Sequence, residues 1–466
     1  MKQVKVRSLV PFMSVVLTVF VGALCILLEA PYWFVAVAAI VTLTPLFLAR
    51  WGAWREEGSR WGGVFLLFPA FYVIAYSLGS VPIGTQGPLG VRADAGQWIL
   101  YFVGIVAYFI GAAFFVNRAP LRPEGVAPRR ASRTVGMLAG VAGLAGAAIN
   151  YATGGIPLLA ENVNAGRFGE NQSLLGPLTG FIVGAEQVSL VVLTLSWYSS
   201  RKNGLREPTS TKLMILVLIV SLVLSGARGF LVLPLVAIAF AIAEFNLVKP
   251  LTFLLIAVLG FSGLTAYNQY RQQESGTIEA LNAALEANGV ADVPLASGLL
   301  GLQIGPAVMQ VSRTMIPDRI PFQGGTFFLN DGGVLVGSDH NSDYFTTVVV
   351  TNRNYNAVGG SPPTILGGFY IDGGVPLVII GMIALGLISR FMRNGYFRNP
   401  HIYSGAAYGY WCAWIVLSLY GYISLKPAAL TVFVVALVGS MAVNASETRA
   451  TRIAQEVARR SRLRHR

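Results

Sequence analysis

Eight cations stand apart from the other basic residues of this chain: Arg92, Arg167, Arg228, Arg271, Arg313, Arg319, Arg353 and Lys426. With both termini inside, these eight are expected on the outer side of the membrane, and the other lysines and arginines on the cytoplasmic side. A guanidinium presents a rigid fork of donors that matches phosphate oxygens bidentately, and it keeps its proton. Two or more arginines converging on one surface would therefore hold a phosphate or pyrophosphate. The stretch SDHNSDY supplies the complementary groups, Asp339, His340 and Asp343, any of which could deprotonate an attacking hydroxyl. Taken singly each residue has a plainer reading: an arginine fixing a loop or reaching lipid headgroups, a histidine idle in a loop. Their number on one face is what points to chemistry on a phosphate-activated donor.

Arg228 poses the sharpest question. It sits in SGARGF, preceded by LMILVLIVSLVL and followed by LVLPLVAIAFAIA. At the centre of a membrane-spanning helix an arginine costs roughly 2.5–3.5 kcal/mol even on the lenient insertion scale. Either it snorkels to headgroups along its own aliphatic stem, or a carboxylate or an anionic ligand answers its charge. Glu186, in FIVGAEQVSL, is the one clear carboxylate deep in an apolar run; it reads as a hydrogen-bonded interhelical glutamate, as a counter-ion for an arginine, or as a proton-relay group.

Other chemistries have little support. The two cysteines, Cys25 and Cys412, lie in apolar runs and suggest neither a disulfide framework nor a metal site. One histidine among the scattered cations, with no cysteine and no DxD nearby, does not make a metal-ligand cluster, so no metal and no cofactor is expected. Walker A and GxGxxG patterns are absent, which argues against a cytoplasmic nucleotide. The net charge of +13 would suit nucleic acid, but the placement of the charges argues against such a partner.

The elements that must position these residues are transmembrane helices. Of the 466 residues 54% are hydrophobic and only 12% charged, and the mean hydropathy is +0.62. Apolar runs long enough to span a bilayer recur from end to end. They place about twelve spans, near 9–28, 31–49, 62–82, 97–116, 134–152, 177–197, 212–225, 229–245, 250–268, 366–389, 403–422 and 428–444. The first reads as a retained helix, since no small-residue cleavage site follows it. With both termini inside, 26 of the 34 lysines and arginines are cytoplasmic and the eight named above are outside, a strong positive-inside signal. The whole chain reads as one integral membrane domain. Residues 270–365 form a large extracytoplasmic loop and 445–466 a basic cytoplasmic tail, set against anionic lipid or simply solvated. Within the loop, LASGLLGLQIGPAVMQVS is expected as a re-entrant or in-plane element, because a thirteenth span would put the tail arginines outside. IEALNAALEA, ahead of it, reads as an outer-surface helix. The 14-residue run 212–225 is short for a span, about 21 Å as a helix against a core of about 30 Å. SGARG is therefore expected as a tight turn between two helices, sunk below the outer surface.

Three motifs lie in order along the outer side: GGIPLL followed by Arg167, SGARG with Arg228, and PPTILGGFYIDGGVPLVIIGMIALG. In type, order and side, over roughly 150–390, they resemble the Wzy-type O-antigen polymerases, the oligosaccharide repeat-unit polymerases of bacterial surface polysaccharide. The resemblance implies an all-helical, GT-C-like, metal-independent inverting glycosyltransferase of the bacterial cytoplasmic (inner) membrane, with its active site on the extracytoplasmic face. It implies undecaprenyl-pyrophosphate-linked glycans as donor and acceptor, with membrane lipids, a chain-length regulator and a flippase as partners. Arg167 matches the arginine after GGIPLL, Arg228 that of the SxxRG turn, and Ile365-Leu366-Gly367 the start of the late motif. Arg271, Arg313 and Arg353 join them as candidate pyrophosphate ligands, and His340, Asp339 and Asp343 as candidate bases. Where relatives carry a glutamate after the late glycine this chain has Gly368, and Asp372, one turn on, is the available carboxylate. An O-antigen ligase or another lipid-linked glycosyltransferase would use the same donor with a different acceptor. A transporter or flippase of anionic lipid-linked glycans would need charges along a path through the membrane, where only Glu186 qualifies. A scaffold would not need the large loop or its arginines.

Overall fold

Where lipid surrounds a chain its backbone must satisfy itself, and the apolar runs of this sequence do so as helices. The computed structural model describes residues 68–69, 71–72, 75–76, 94–113, 130–160, 175, 178–244, 294–333, 342–352, 362–398, 401–423 and 426–464. Among them there is no strand. The main helices are α1 (Ala95–Ala113), α2 (Arg130–Gly154), α3 (Thr179–Lys202), α4 (Thr209–Leu224), α5 (Arg228–Glu244), α6 (Pro294–Met315), α7 (Thr326–Gly333), α8 (Thr364–Arg398), α9 (Ile402–Leu417) and α10 (Pro427–Arg464).

Five of these, α1, α2, α3, α8 and α10, contain stretches long and apolar enough to cross a membrane, and α4 and α5 are shorter apolar helices. The chain is thus a helical protein with the makings of a membrane bundle. Expected spans at 97–116, 134–152, 177–197, 212–225, 229–245, 403–422 and 428–444 coincide with helices, within a few residues at most ends, whereas the run expected as one span at 366–389 is helical but broken at Gly373 and Gly374. Those at 9–28, 31–49 and 250–268 lie outside the described residues, as does most of 62–82. The outer-surface helix expected around 278–287 is outside them too. α10 runs on without a break to Arg464, so the basic tail continues the last apolar helix.

Between membrane helices there is little hydrophobic drive, and close approach depends on small residues. α2 meets α3 along a glycine stripe: Cβ atoms added to Gly136, Gly140, Gly143 and Gly146 would collide with Val192, Ser189, Glu186 and Ile182. The descending order of the partners makes the pair antiparallel. α1 and α8 approach still closer, since a Cβ on Gly386 would stand 2.2 Å from the Tyr108 carbonyl oxygen. Beside them Phe68, Tyr72, Tyr76, Tyr101 and Tyr108 form a buried aromatic cluster with ring centroids 4.5–5.9 Å apart.

α8 is two arms joined at a sharp break. Gly374 has φ 65°, a left-handed conformation that glycine adopts without a Cβ clash. The arm 364–372 folds back far enough that the Phe369 ring occupies the space a Cβ on Gly381 would need. A second left-handed glycine, Gly226 (φ 65°), closes α4 and opens α5. The SGARG segment is the tight interhelical turn expected: Gly226 N–H donates to the Val223 carbonyl at 3.0 Å and Phe230 N–H to the Ala227 carbonyl at 3.0 Å.

Candidate functional site

One end of the bundle gathers the elements that carry the three motifs. At the end of α2, Asn150 donates to Thr179 at the start of α3 (3.2 Å), and the Tyr151 hydroxyl donates to the Ser221 carbonyl in the last turn of α4 (2.8 Å). GGIPLL follows at once as the turn of 3-10 helix Pro157–Leu159, which packs against α4. The start of α3 abuts that of α10, Gly180 against Pro427 and Gly184 against the Ala428 carbonyl. The segment between α9 and α10 carries the contact across to the late motif. There the Tyr420 carbonyl and Thr364 lie against Gly305 of α6, and Tyr422 lies against Gly368 with its ring tilted against that of Phe327 at 5.1 Å. Lys426 sits over the Tyr422 ring at 4.8 Å. Arg228 opens α5 at this same end. Arg133, Glu207 and Arg393 occupy the opposite end, with Arg133 paired to Glu207 at 3.3 Å.

Asp372 is the centrepiece of the late motif. Its Oδ1 accepts from the N–H of Gly325 (2.9 Å) and Phe327 (3.0 Å), and its Oδ2 from Phe328 (3.1 Å). These are donors that the start of a helix leaves without intrahelical partners, so Asp372 caps α7 from a distance. The Gly324 N–H adds a bond to the Asp372 carbonyl and the Gln323 N–H one to Ile371, so the whole approach to α7 is pinned to the break in α8. Asp372 is 3% exposed and both its oxygens are engaged. It therefore holds α7 in place instead of presenting a free carboxylate.

Of the expected bases, Asp343 is described and His340 and Asp339 are not. Asp343 is half-buried in the short helical segment Ser342–Tyr344, which continues as a turn of π-helix, Phe345–Val350. Its neighbour Ser342 is buried and donates to the Phe327 carbonyl at 2.6 Å. Phe327 thus bridges Asp372 and the segment of Asp343, which brings the late motif and the candidate base to one short helix.

Among the expected phosphate ligands, Arg167, Arg271 and Arg353 lie outside the described residues. Arg228 is the first residue of α5, and only its backbone is described. Arg313 is placed fully, and its charge is already answered. It pairs with Asp94, donates to Gln310 Oε1 at 2.9 Å and lies across Gly96, fastening the end of α6 to the start of α1. Asp94 also caps α1, accepting from the Gln97 N–H at 2.8 Å. Burial pushes the Asp94 carboxyl up, but hydrogen bonds from Arg313, Gln310 and the Gln97 N–H, with the Arg313 charge, outweigh it and hold the group below its ordinary value. Arg319 is exposed, and its guanidinium donates to the Met315 sulfur at 3.9 Å.

Glu186 is 2% exposed and accepts from the Ser221 hydroxyl at 2.7 Å, the interhelical hydrogen-bonded reading among the three open to it. Sequence reasoning missed Asp94, Gln97 and Gln187 as site-building residues. For Asp94 a signal existed, since Asp-x-x-Gln ahead of an apolar run is close to a capping box. Among the described residues no three His, Cys, Asp or Glu side chains stand together as metal ligands would. No protein-family model matches the chain, nor does any curated protein or any solved structure.

Proposed function

We propose that this protein polymerises undecaprenyl-pyrophosphate-linked oligosaccharide repeat units into a surface polysaccharide, at the outer face of the bacterial cytoplasmic membrane. In this reading it is a GT-C-like glycosyltransferase of about twelve spans with both termini cytoplasmic. The observation that carries the reading is the gathering, at one end of the bundle, of the elements bearing GGIPLL, SGARG and the late glycine motif. α4, at 16 residues, is about 24 Å long and shorter than the ~30 Å hydrocarbon core, so the turn it leads into would bring Arg228 to the depth of a lipid-borne phosphate.

The reaction then runs as a displacement. A hydroxyl of the acceptor repeat unit attacks the anomeric carbon of the donor chain from the face opposite the pyrophosphate. The new carbon–oxygen bond forms as the bond to the pyrophosphate breaks, and the electron pair leaves with undecaprenyl pyrophosphate. Arg228, with Arg167, Arg271 and Arg353, neutralises the charge building on the leaving phosphate, a preorganised electrostatic contribution. Asp343, or Asp339 or His340 from the same stretch, takes the acceptor proton. Arg313, satisfied by Asp94, holds the scaffold and not the phosphate.

The test is a gel of surface glycan from a deletion strain complemented with wild type, Arg228→Ala or Arg167→Ala, with membrane levels of each variant verified. Single-repeat glycan from normally inserted variants supports the polymerase. Complete absence of attached glycan redirects the reading to a ligase, and full ladders from both variants overturn it.

A further inference from the structure

The turn that carries Arg228 is held from behind by two consecutive residues of α3. Pro234 is the seventh residue of α5. A proline has no N–H, so the carbonyl four residues earlier, that of Phe230, loses its helical donor and is pushed aside by the ring. Gln187 supplies the missing donor, its Nε2 lying 2.8 Å from the Phe230 oxygen. A carbonyl can only accept, so the amide nitrogen must face it, which leaves Oε1 to accept from the Tyr410 hydroxyl of α9 at 3.0 Å. Gln187 is 1% exposed, and the network is closed on three helices.

Its neighbour Glu186 does the same for the other arm. It accepts from the Ser221 hydroxyl in the last turn of α4, while Tyr151 of α2 donates to the Ser221 carbonyl. One residue of α3 thus grips the helix entering SGARG, and the next grips the helix leaving it. Among the described residues, a Cβ on Gly229 would meet nothing within 4 Å.

We propose that Gln187 is a positioning residue for Arg228, acting through the Phe230 carbonyl that Pro234 leaves without a helical donor. The role assigned to Arg228 rests on the polymerase reading; the geometry of the clamp does not. Phe230 is two residues from Arg228 on the same first turn, so releasing its carbonyl re-aims the guanidinium without removing it.

A second-site rescue tests this in the full-length protein in its membrane. Gln187→Leu keeps the volume and removes both hydrogen-bonding ends. Polymer formation should fall about tenfold at saturating lipid-linked substrate, the change that ~1.4 kcal/mol of unmet carbonyl produces. Adding Pro234→Ala restores an N–H four residues after Phe230, and the double variant should recover most of the loss. A role in packing alone would not be rescued by that N–H. A readout independent of catalysis uses Arg228→Cys with Cys25 and Cys412 replaced by alanine: modification by a membrane-impermeant maleimide should change several-fold in Gln187→Leu and revert in the double variant. Unchanged labelling, or a double variant as impaired as the single, overturns the proposal. If labelling shifts and reverts while glycan ladders never depend on Arg228, the clamp stands and the polymerase reading fails. Should Gln187→Leu not insert, Tyr410→Phe removes only the donor to Oε1, and it must shift labelling in the same direction or the proposal fails.

Discussion

Replacing Asp372 should unfasten α7 and the segment leading into it while leaving the long apolar helices intact. The carboxylate accepts three backbone N–H bonds of 2.9–3.1 Å from Gly325, Phe327 and Phe328. Bonds to a charged acceptor contribute roughly 1.5–3 kcal/mol each, but one carboxylate cannot be counted three times over, and losing a helix cap costs ~0.5–2 kcal/mol. About 3 kcal/mol of local stability is a reasonable figure for Asp372→Ala. Asp372→Asn keeps one acceptor oxygen for Gly325 and Phe327 but turns an N–H₂ toward the Phe328 N–H, losing about 1 kcal/mol. Hydrogen–deuterium exchange of the full-length protein in nanodiscs reads these losses directly as opening of residues 321–333. At a factor of ten per ~1.36 kcal/mol, exchange there should speed up about 150-fold for Ala and about fivefold for Asn. The arm 375–398 should keep its protection. Equal exchange in wild type and Asp372→Ala would refute the reasoning, because it would mean the three bonds do not hold α7.

Other perturbations probe other joints of the same scaffold. The Asp94 carboxyl titrates below its ordinary value in the fold, so its pairing with Arg313 stabilises above the unfolded value of about 3.9 and is lost as pH falls through the lower folded value. Asp94→Asn should therefore lower the unfolding temperature in detergent at pH 7 and converge on wild type in acid; with half of the Asp94 side chain exposed the effect is at most about 1 kcal/mol and shrinks with added salt. Gly386→Leu should abolish accumulation of folded protein in membranes, because a Cβ there would lie 2.2 Å from a carbonyl oxygen of α1 and 2.6 Å from the Ala112 nitrogen, neither of which can move alone. Glu186→Gln should be nearly silent in thermal unfolding, since an amide oxygen still accepts from Ser221, whereas Glu186→Leu strands that buried hydroxyl and should lose roughly 1–3 kcal/mol.

Much of the architecture is legible in the sequence, for a simple reason: a bilayer leaves a polypeptide few choices. Apolar length alone placed α1 to α5 and α8 to α10 within a few residues at most of their ends, and the shortness of the run before SGARG was enough to read a turn. Residue type also singled out Glu186 as a buried polar group that needs a partner. What one-dimensional pattern could not decide was who that partner is. Arg313 looked like any other outer arginine, yet it answers Asp94, 219 residues away in the chain. Asp372 looked like a free acid beside two glycines, yet the break at Gly373 and Gly374 turns it onto the start of α7. Gln187 looked like one more polar residue in an apolar helix until Pro234, on another helix, left a carbonyl for it to satisfy. Helix existence depends on local hydrophobicity and length, which the sequence carries in itself. The partner of each charge and each orphaned backbone group depends on which helices pack together, and that only the tertiary structure decides.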